Sequence, residues 1–299
     1  MKDFKVRKLD YSQVWENIVS AMCNYLEKNK LESMILGISG GIDSTVNAAI
    51  SREVYKRTGK KLIGLSLMTS TNEADEDYAA SLVGSEFCTE YVKCSIEHEF
   101  KDFDNMCVHI SGPSDSVAKG NIKARMRMMI LFDASAKHKG IVLSGANQSE
   151  VLLGFSTLGA DSIGGAAPLS QLMKHEIYEF AHWIKDNIYP DSLALEKSIS
   201  LNPTDGNGVT AGGDMAQIAP GHTYNDVDDI LMAYLEYKGH HPEEYQNAIN
   251  ELYEKYSYET VERVIRRHLN SQFKRWFLPI NIDVETGELI QNNGEPINI

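Results

Sequence analysis

Apolar residues recur through residues 11–30 at Val14, Ile18, Met22, Tyr25 and Leu26. That three-and-four spacing lines one face of an α-helix. Met34-Ile35-Leu36-Gly37-Ile38 is then a short continuous apolar run, the length of a buried strand, and Ser39-Gly40-Gly41 breaks it. Asp43-Ser44-Thr45 can cap a following helix whose apolar positions are Val46, Ala49, Ile50 and Val54. The run from Leu62 to Met68 predicts a second strand, residues 73–87 a helix, and Glu90 to Ile96 a third strand. Residues 121–138 form a long, basic, Met-rich helical pattern, Ile141-Val142-Leu143 a fourth strand, and residues 174–187 another helix. Strands alternating with helices predict βαβ units, hence an α/β fold with a doubly wound, mostly parallel sheet and helices on both faces.

Two stretches, 155–170 and 202–223, lose this periodicity and are dominated by Gly, Ala, Ser, Thr and Asp. They read either as surface linkers or as functional lids, the commoner use of long loops inside a compact domain. The pattern returns to helices at 225–238, 242–256 and 258–270, a helical C-terminal extension. Residues 281–299 are polar and Gly/Asn-rich, so the expectation is a single domain over 1–280 followed by a loosely held tail.

Composition narrows the function classes. The 299 residues are 42% hydrophobic and 24% charged, which excludes intrinsic disorder for most of the chain. Lys and Arg number 29 against 42 Asp and Glu, a net charge of −13. So acidic a chain is a poor general binder of nucleic acid or anionic membrane, although a local basic pocket can still hold an anionic ligand. No apolar run approaches the ~18 residues needed to span a bilayer. The start, Met1-Lys2-Asp3-Phe4-Lys5-Val6-Arg7-Lys8, leads into no signal core, so a cytoplasmic location is expected. Cys23, Cys88, Cys94 and Cys107 form no CxxC pair and have no nearby His pair at zinc-finger spacing; they read as free buried thiols.

The sharpest chemical signal is Leu36-Gly37-Ile38-Ser39-Gly40-Gly41-Ile42-Asp43-Ser44-Thr45, between a predicted strand and a predicted helix. Gly40 and Gly41 let the backbone bring its N–H groups close to a phosphate, and the helix N-terminus behind them adds donors and a positive dipole end. Ser39 and Ser44 can add hydroxyls. Asp43 would repel a phosphate unless it holds Mg²⁺ bridging to it. The loop is neither GxxxxGK[ST] nor GxGxxG. SGGIDS resembles the pyrophosphate-binding loop of the N-type ATP pyrophosphatases, which cut ATP to AMP and pyrophosphate while adenylating a substrate oxygen.

The order of further motifs resembles the NAD synthetase family in particular. Lys119-Gly120-Asn121-Ile122-Lys123-Ala124-Arg125-Met126-Arg127 is similar to its KGN-x-KAR-x-R helix. Ser144-Gly145-Ala146-Asn147-Gln148-Ser149-Glu150 resembles its segment ending in a Mg²⁺-binding Glu, and Gly154-Phe155-Ser156-Thr157 follows at family spacing. Pro168-Leu169 precedes Lys174 as the family's Pro precedes an ATP-contacting Lys. Asn202-Pro203-Thr204 resembles its PTA/PTD turn, and Phe273-Lys274-Arg275 with Pro279 its HKR…P signature. The match runs from about residue 12 to 280. It implies amidation of deamido-NAD to NAD through an acyl-adenylate, with ATP and ammonia as co-substrates and AMP and pyrophosphate released. It implies ATP contacts from Gly37, Ile38, Ser39, Gly40, Gly41, Ile42, Asp43, Ser44, Gly145, Lys174 and Thr204. Asp43 and Lys174 would be catalytic, Asp43 and Glu150 would hold Mg²⁺, and Arg125, Phe273 and Lys274 would bind deamido-NAD. Family members are homodimers with the dinucleotide at the subunit interface. Two anions must meet in such a reaction, which demands metal and cationic clamps, and no side-chain nucleophile is required.

Each residue also has a blander reading. Glu150 could simply favour a helix N-terminus. Arg125 and Arg127 could be a solvated helix face, Lys174 a surface lysine, and Lys274-Arg275 a basic stop after a helix. Met126, Met128 and Met129 read as core or dimer packing, and His222, beside Tyr224 and Asp226, as structural. The chain departs from the family after Phe155. Where the ammonia-dependent enzymes have TKYGDGGAD, the family's substrate-binding Lys falls on Leu158 and its last Asp on Gly165; the stretch is closer to the GWSTYG pattern of glutamine-dependent relatives. Backbone of 159–166, Asp161, Lys274 or the 205–213 lid would then hold the nicotinate end. Glutamine-dependent relatives carry an N-terminal nitrilase-type domain, and the helix and strand before Gly37 leave no room for one, so free ammonia is the expected nitrogen source. The alternatives are another adenylating enzyme of the superfamily, such as a GMP synthetase or tRNA-modifying enzyme, and a non-catalytic nucleotide-binding module.

Overall fold

Along the first strand the side chains divide between two cores. Met34 and Leu36 join one buried cluster and Ile35 another, because successive strand residues point to opposite faces. The protein, as a computed structural model, is described here over residues 7–161, 163–203, 214–277 and 280–290. The elements run α1 (Tyr11–Lys28), β1 (Ser33–Gly37), α2 (Ile42–Thr58), β2 (Lys61–Met68), α3 (Ala74–Phe87), β3 (Glu90–Ser95), α4 (Glu97–Ser111) and α5 (Ser116–Lys137). They continue with β4 (Gly140–Leu143), α6 (Gln148–Leu153), β5 (Ala166–Ala167), α7 (Lys174–Asn187), α8 (Leu193–Ser200) and α9 (Asp214–Ile218). The last are α10 (Tyr224–Tyr237), α11 (Pro242–Tyr256), α12 (Tyr258–Asn270), a 3₁₀ turn at Gln272–Phe277, β6 (Ile280–Ile282) and β7 (Leu289–Ile290).

The strands form one sheet in the order β3-β2-β1-β4-β5-β6-β7. Neighbours are parallel except β6 and β7. This is the expected doubly wound α/β sheet. Helices α1, α2, α3, α7 and α8 cover the Met34/Leu36 face, and α4 and α5 cover the Ile35 face through Phe100, Ile122, Met126 and Leu131. The chain leaves β1 toward β2 on one side and returns to β4 on the other. The loops after β1 and β4 therefore part at the carboxyl ends of their strands, opening the crevice where such sheets bind ligands.

The four expected strands stand where the apolar runs lie. Strand β5 was not expected, because two residues with one rung to β4, Leu143 against Ala166, leave no pattern to read. The loosely held tail is corrected in part: Ile280–Ile282 pairs with β5, and residues 280–290 extend the sheet as an antiparallel pair. Helix α4 also went unseen, although Phe100, Phe103, Cys107 and Ile110 recur at helical spacing; Phe100 is its one buried residue. The cysteines are free, but Cys94 is exposed and the other three are half-buried rather than buried. Met126 and Met128 are core residues whereas Met129 is exposed.

Helices α10–α12 build a separate core from Val227, Ile230, Leu231, Leu252, Val261 and Val264. Leu153 at the end of α6 and Met173 at the head of α7 belong to the same cluster, so the extension grips the sheet domain beside the crevice.

Helix α2 begins at Ile42 with Gly41 as its N-cap and no side-chain cap bond, so the expected capping by Asp43-Ser44-Thr45 does not occur. Asp43 instead lies in the first turn. Gly40 sits at φ +86°, and a Cβ there would lie 2.4 Å from the Glu76 carbonyl oxygen of α3. Gly59 has a similar φ, +73°, but a Cβ there would meet nothing within 4 Å. Gly40→Ala should therefore lose clearly more stability than Gly59→Ala, whose cost should be about 1 kcal/mol. Urea unfolding midpoints of the two variants check this; equal losses would mean that α3 yields at no cost.

Candidate active site

The loop after β1 is tied together from within. The Gly41 N–H donates to Ser39 Oγ at 3.2 Å, and the Ser44 and Thr45 hydroxyls donate to the Gly41 carbonyl at 2.9 and 3.0 Å. From α8, the Ser198 hydroxyl donates to the Gly40 carbonyl at 2.9 Å. With the Gly40 and Gly41 carbonyls thus engaged, the start of α2 has no side-chain cap for its N–H groups, the arrangement that suits an anion.

Opposite stands the loop after β4. Asn147 caps α6, its Oδ1 accepting from the Glu150 N–H at 2.9 Å while its Nδ2 donates to Asp43 Oδ1, also at 2.9 Å. From the head of α7, Lys174 Nζ donates to Asp43 Oδ2 at 2.5 Å and to Glu150 Oε1 at 3.1 Å. The Lys174 side chain is 4% exposed. Three segments far apart in sequence thus converge on one ammonium.

One positive charge serves several carboxylates here. Burial works against the Lys174 charge, but Asp43 and Glu150 outweigh it and hold the ammonium well above the ordinary lysine range. Glu150 is pushed above the ordinary carboxylate range by burial; Lys174 opposes the shift, and the Asp43 and Asp214 charges add to it. Asp214, itself buried, accepts from the Tyr224 hydroxyl at 2.9 Å, and the Tyr224 ring lies 5.4 Å from Lys174 Nζ.

Asp43, Glu150 and Asp214 line a cleft of about 490 Å³ at the β1/β4 crevice. Gly37, Ile38, Ser39, Asp43, Ser44, Gly145, Glu150 and Lys274 all border it, while Gly40, Gly41 and Ile42 continue the same loop. Lys174 itself is not among the lining residues; it is buried behind Asp43 and Glu150, which it bonds. Lys274 Nζ donates to the Gly154 and Ser156 carbonyls at 2.8 and 2.6 Å, pinning the segment after α6, and burial holds its pKa below the ordinary lysine range. Thr204 and Pro279 lie outside the described residues, as do lid residues 205–213 and the side chain of Phe273.

Arg125 is not in the cleft. It is exposed on the outer face of α5, where its Nε donates to the Leu158 carbonyl at 3.1 Å. Arg127 lines the cleft instead, its Nε donating to the Leu67 carbonyl at 2.9 Å. His222 is structural as expected, its Nε2 within 3.1 Å of the Thr260 hydroxyl. Sequence reasoning assigned no role to Asn147, although it stands in the quoted segment three residues before Glu150. It also passed over Asp214, in an aperiodic stretch with no signal, and Arg267, whose guanidinium packs 5.4 Å from the Phe155 ring centre.

A family model for NAD synthase matches residues 14–277. The chain belongs to the NAD synthase family. It is 30% identical to the NH(3)-dependent NAD(+) synthetase of Sulfurisphaera tokodaii over 290 residues, 95% of this chain and 93% of that protein. It is also 30% identical to the glutamine-dependent NAD(+) synthetase of Aquifex aeolicus over 233 residues, 75% of this chain but only 38% of that longer relative. Among solved structures, the fold is similar to an NMN synthetase from Francisella tularensis, with a TM-score of 0.70 and 23% identity over 90% of this chain and 97% of that one. An NH3-dependent NAD synthetase from Campylobacter jejuni superposes with a TM-score of 0.59 and 20% identity, covering 86% and 96% of the two chains.

Within this NAD synthase family member, Gly165 lies tight against β4. A Cβ there would fall 2.2 Å from Ile141 Cγ1, so a side chain at 165 would require Ile141 to move. Asp161 is the carboxylate that borders the cleft in this segment, exposed and receiving the Thr157 N–H at 2.8 Å.

The carboxylate cluster predicts a pH dependence. A glutamate raised in the folded state binds its proton more tightly there than when unfolded. Its contribution is present below about pH 4.3, the ordinary glutamate value, and is lost as pH rises through the raised one. Metal-free Glu150→Gln should therefore lose less stability than the unsubstituted chain between pH 5 and pH 8. Urea unfolding at both pH values checks this, and parallel losses would place Glu150 in the ordinary range.

Proposed function

We propose that this chain is an ammonia-using NAD synthetase that converts ATP, deamido-NAD and ammonia into AMP, pyrophosphate and NAD. The observation that supports this best is the meeting of Asp43, Lys174 and Glu150 beside an uncapped helix N-terminus. Such a site can bind a triphosphate and a cation together.

In the first step the nicotinate carboxylate oxygen attacks the α-phosphorus of ATP, and the bond to pyrophosphate breaks. In the second, the ammonia lone pair attacks the acyl carbon, the bond to AMP breaks, and one proton leaves the new amide nitrogen. The loop N–H groups, Ser39 and Ser44 would cradle the phosphates, with Gly145 and Thr204 bordering the nucleotide. Asp43 and Glu150 fit a magnesium ion, since both place oxygens around one cationic point, the Lys174 ammonium, and are hard ligands. Bound there, magnesium would neutralise phosphate charge as it develops on the leaving group. Lys174, released from one carboxylate, would then be free to meet the phosphates. Phe273 and Lys274 are assigned to deamido-NAD.

The exposed position of Arg125 fits a homodimer. It shares one stripe of α5 with Met129 and Phe132, at i, i+4 and i+7, which are 58% and 40% exposed. Phe103, Met106 and Ile110 of neighbouring α4 are also exposed. A second copy covering this face would bury the apolar stripe and bring Arg125 to the dinucleotide at the interface. No described helix is long and apolar enough to cross a membrane, and a cytoplasmic location, where all three small substrates would be at hand, is part of the same reading.

The test is chromatography of a reaction holding ATP, Mg²⁺, ammonium and deamido-NAD. AMP and NAD should appear in equal amounts. Nicotinate mononucleotide is offered in parallel, and amidation of it alone would move the substrate while keeping the chemistry. Asp43→Ala should lower turnover by about two orders of magnitude or more with the fold intact; near-normal turnover in Mg²⁺ would remove Asp43 from the site.

Two further outcomes follow from the substrate assignments. Arg125→Ala should raise the KM for deamido-NAD far more than that for ATP, and the reverse would place the arginine on the other ligand. Because only NH₃ has the lone pair, the apparent KM for total ammonium should fall as pH rises through the weakly alkaline range. Glutamine supporting the reaction with the purified chain alone would exclude ammonia as the required donor.

A further inference from the structure

A buried chain of hydrogen bonds runs behind the cleft and includes no group assigned above to substrate or metal. Asp228, on α10 of the helical extension, is 0% exposed. Its Oδ1 accepts from the Ser149 hydroxyl at 2.5 Å. The same Ser149 oxygen accepts from the backbone N–H of Lys174 at 2.8 Å. Asp228 Oδ2 accepts from the backbone N–H of His175 at 3.0 Å and lies 2.9 Å from His175 Nδ1. Ser149 is 0% exposed and His175 9%.

A carboxylate sealed from water costs several kcal/mol unless it is fully bonded. Here its partners are the first two N–H groups of α7, one of them reached through Ser149, together with a hydroxyl and an imidazole. The α7 N-terminus also offers its positive dipole end. Every bond lands beside a residue of the cleft cluster: Lys174 and His175 are adjacent, and so are Ser149 and Glu150. Lys174 and Glu150 have to hold their side chains within 3.1 Å of each other while they stand on different helices. Asp228, from a third helix, bonds the neighbour of each: Ser149 beside Glu150 and His175 beside Lys174.

We infer that Asp228 is a positioning residue: from the helical extension it fixes the heads of α6 and α7 against each other, and so sets Lys174 between Asp43 and Glu150. Asp228 touches neither substrate nor metal and acts only through Ser149 and the α7 backbone. The role of the cluster in turnover rests on the reading under Proposed function; the placement of the lysine does not.

The test uses the full chain, three single variants and one double variant. Ser149→Ala cuts the link to Lys174 while removing a single atom, and Asp228→Asn turns one acceptor into a donor facing donors. Tyr256→Phe is the control, since it deletes a bond of the same strength class on the same stretch of α10, Tyr256 Oη to Asp229 at 2.6 Å, which ties α10 to α11 and not to α6 or α7. All three are compared for melting temperature, kinetics and crystal structure. Ser149→Ala should lower kcat by about tenfold, the scale of one lost positioning bond, with the KM for ATP within twofold. Tyr256→Phe should leave kcat unchanged at a similar loss in melting temperature. The Ser149→Ala/Asp228→Asn double variant should lose no more kcat than the worse single one, because both cut one chain. In the crystal structure of Asp228→Asn, the Lys174 ammonium should have left Asp43 or Glu150. A folded Ser149→Ala with unchanged kcat and an unmoved lysine overturns the inference, as does an equal kcat loss in Tyr256→Phe. If the unsubstituted protein makes no NAD, the functional reading fails, and the lysine position in the variant structures still decides this inference.

Discussion

The Lys174 ammonium lies where water barely reaches, and it is stable there only because two carboxylates face it. Removing such a charge from water costs several kcal/mol, and attraction in the interior repays this only when the geometry is held tightly. The surroundings supply that tightness. Asn147 bonds Asp43 on one side and caps the helix that carries Glu150 on the other. The strands that bring these loops together are the central pair of the sheet, β1 and β4, held by four rungs from Ser33–Gly140 to Leu36–Leu143. A sheet that wound in one direction only would carry both loops the same way and leave no crevice for the cluster to fill.

The same cluster explains how a chain with a net charge of −13 can receive polyanionic ligands. The overall charge repels them, so attraction must be local. The uncapped start of α2, Lys174, Lys274 and Arg127 all border or underlie one cleft of about 490 Å³. Low-dielectric walls strengthen each of these charges compared with a lysine on the open surface.

Much of this was legible in the sequence, for physical reasons that differ from element to element. Strands β1, β2 and β4 are buried on both faces, so they read as continuous apolar runs. Helices α11 and α12 begin and end on the residues expected, helped by Pro242 at one start and the strong one-sided pattern of α12. The glycine loop was legible because close backbone approach leaves a composition that nothing else requires. What stayed hidden was decided by tertiary contact. Strand β5 is too short to have a period. Arg125 and Arg127 lie two positions apart on one helix, so they must face different sides. The sequence motif contains both, and only the packing of α5 on the sheet shows that Arg127 enters the cleft.

Gly165 illustrates how a local steric limit can shape a cleft wall. The backbone there passes so close to Ile141 that even a methyl group overlaps it, so a side chain at 165 would displace Ile141 of β4. The segment turns at Thr157 and folds Asp161 toward the cleft, where the Thr157 N–H holds one of its oxygens. Lys274 fastens the start of the same segment through the Gly154 and Ser156 carbonyls. An exposed carboxylate and a half-buried ammonium are therefore attached to one short stretch of chain at the cleft wall. Whatever occupies this end of the cleft meets a surface whose polar groups are set by backbone anchoring, and its recognition depends on the position of that segment more than on any single side chain.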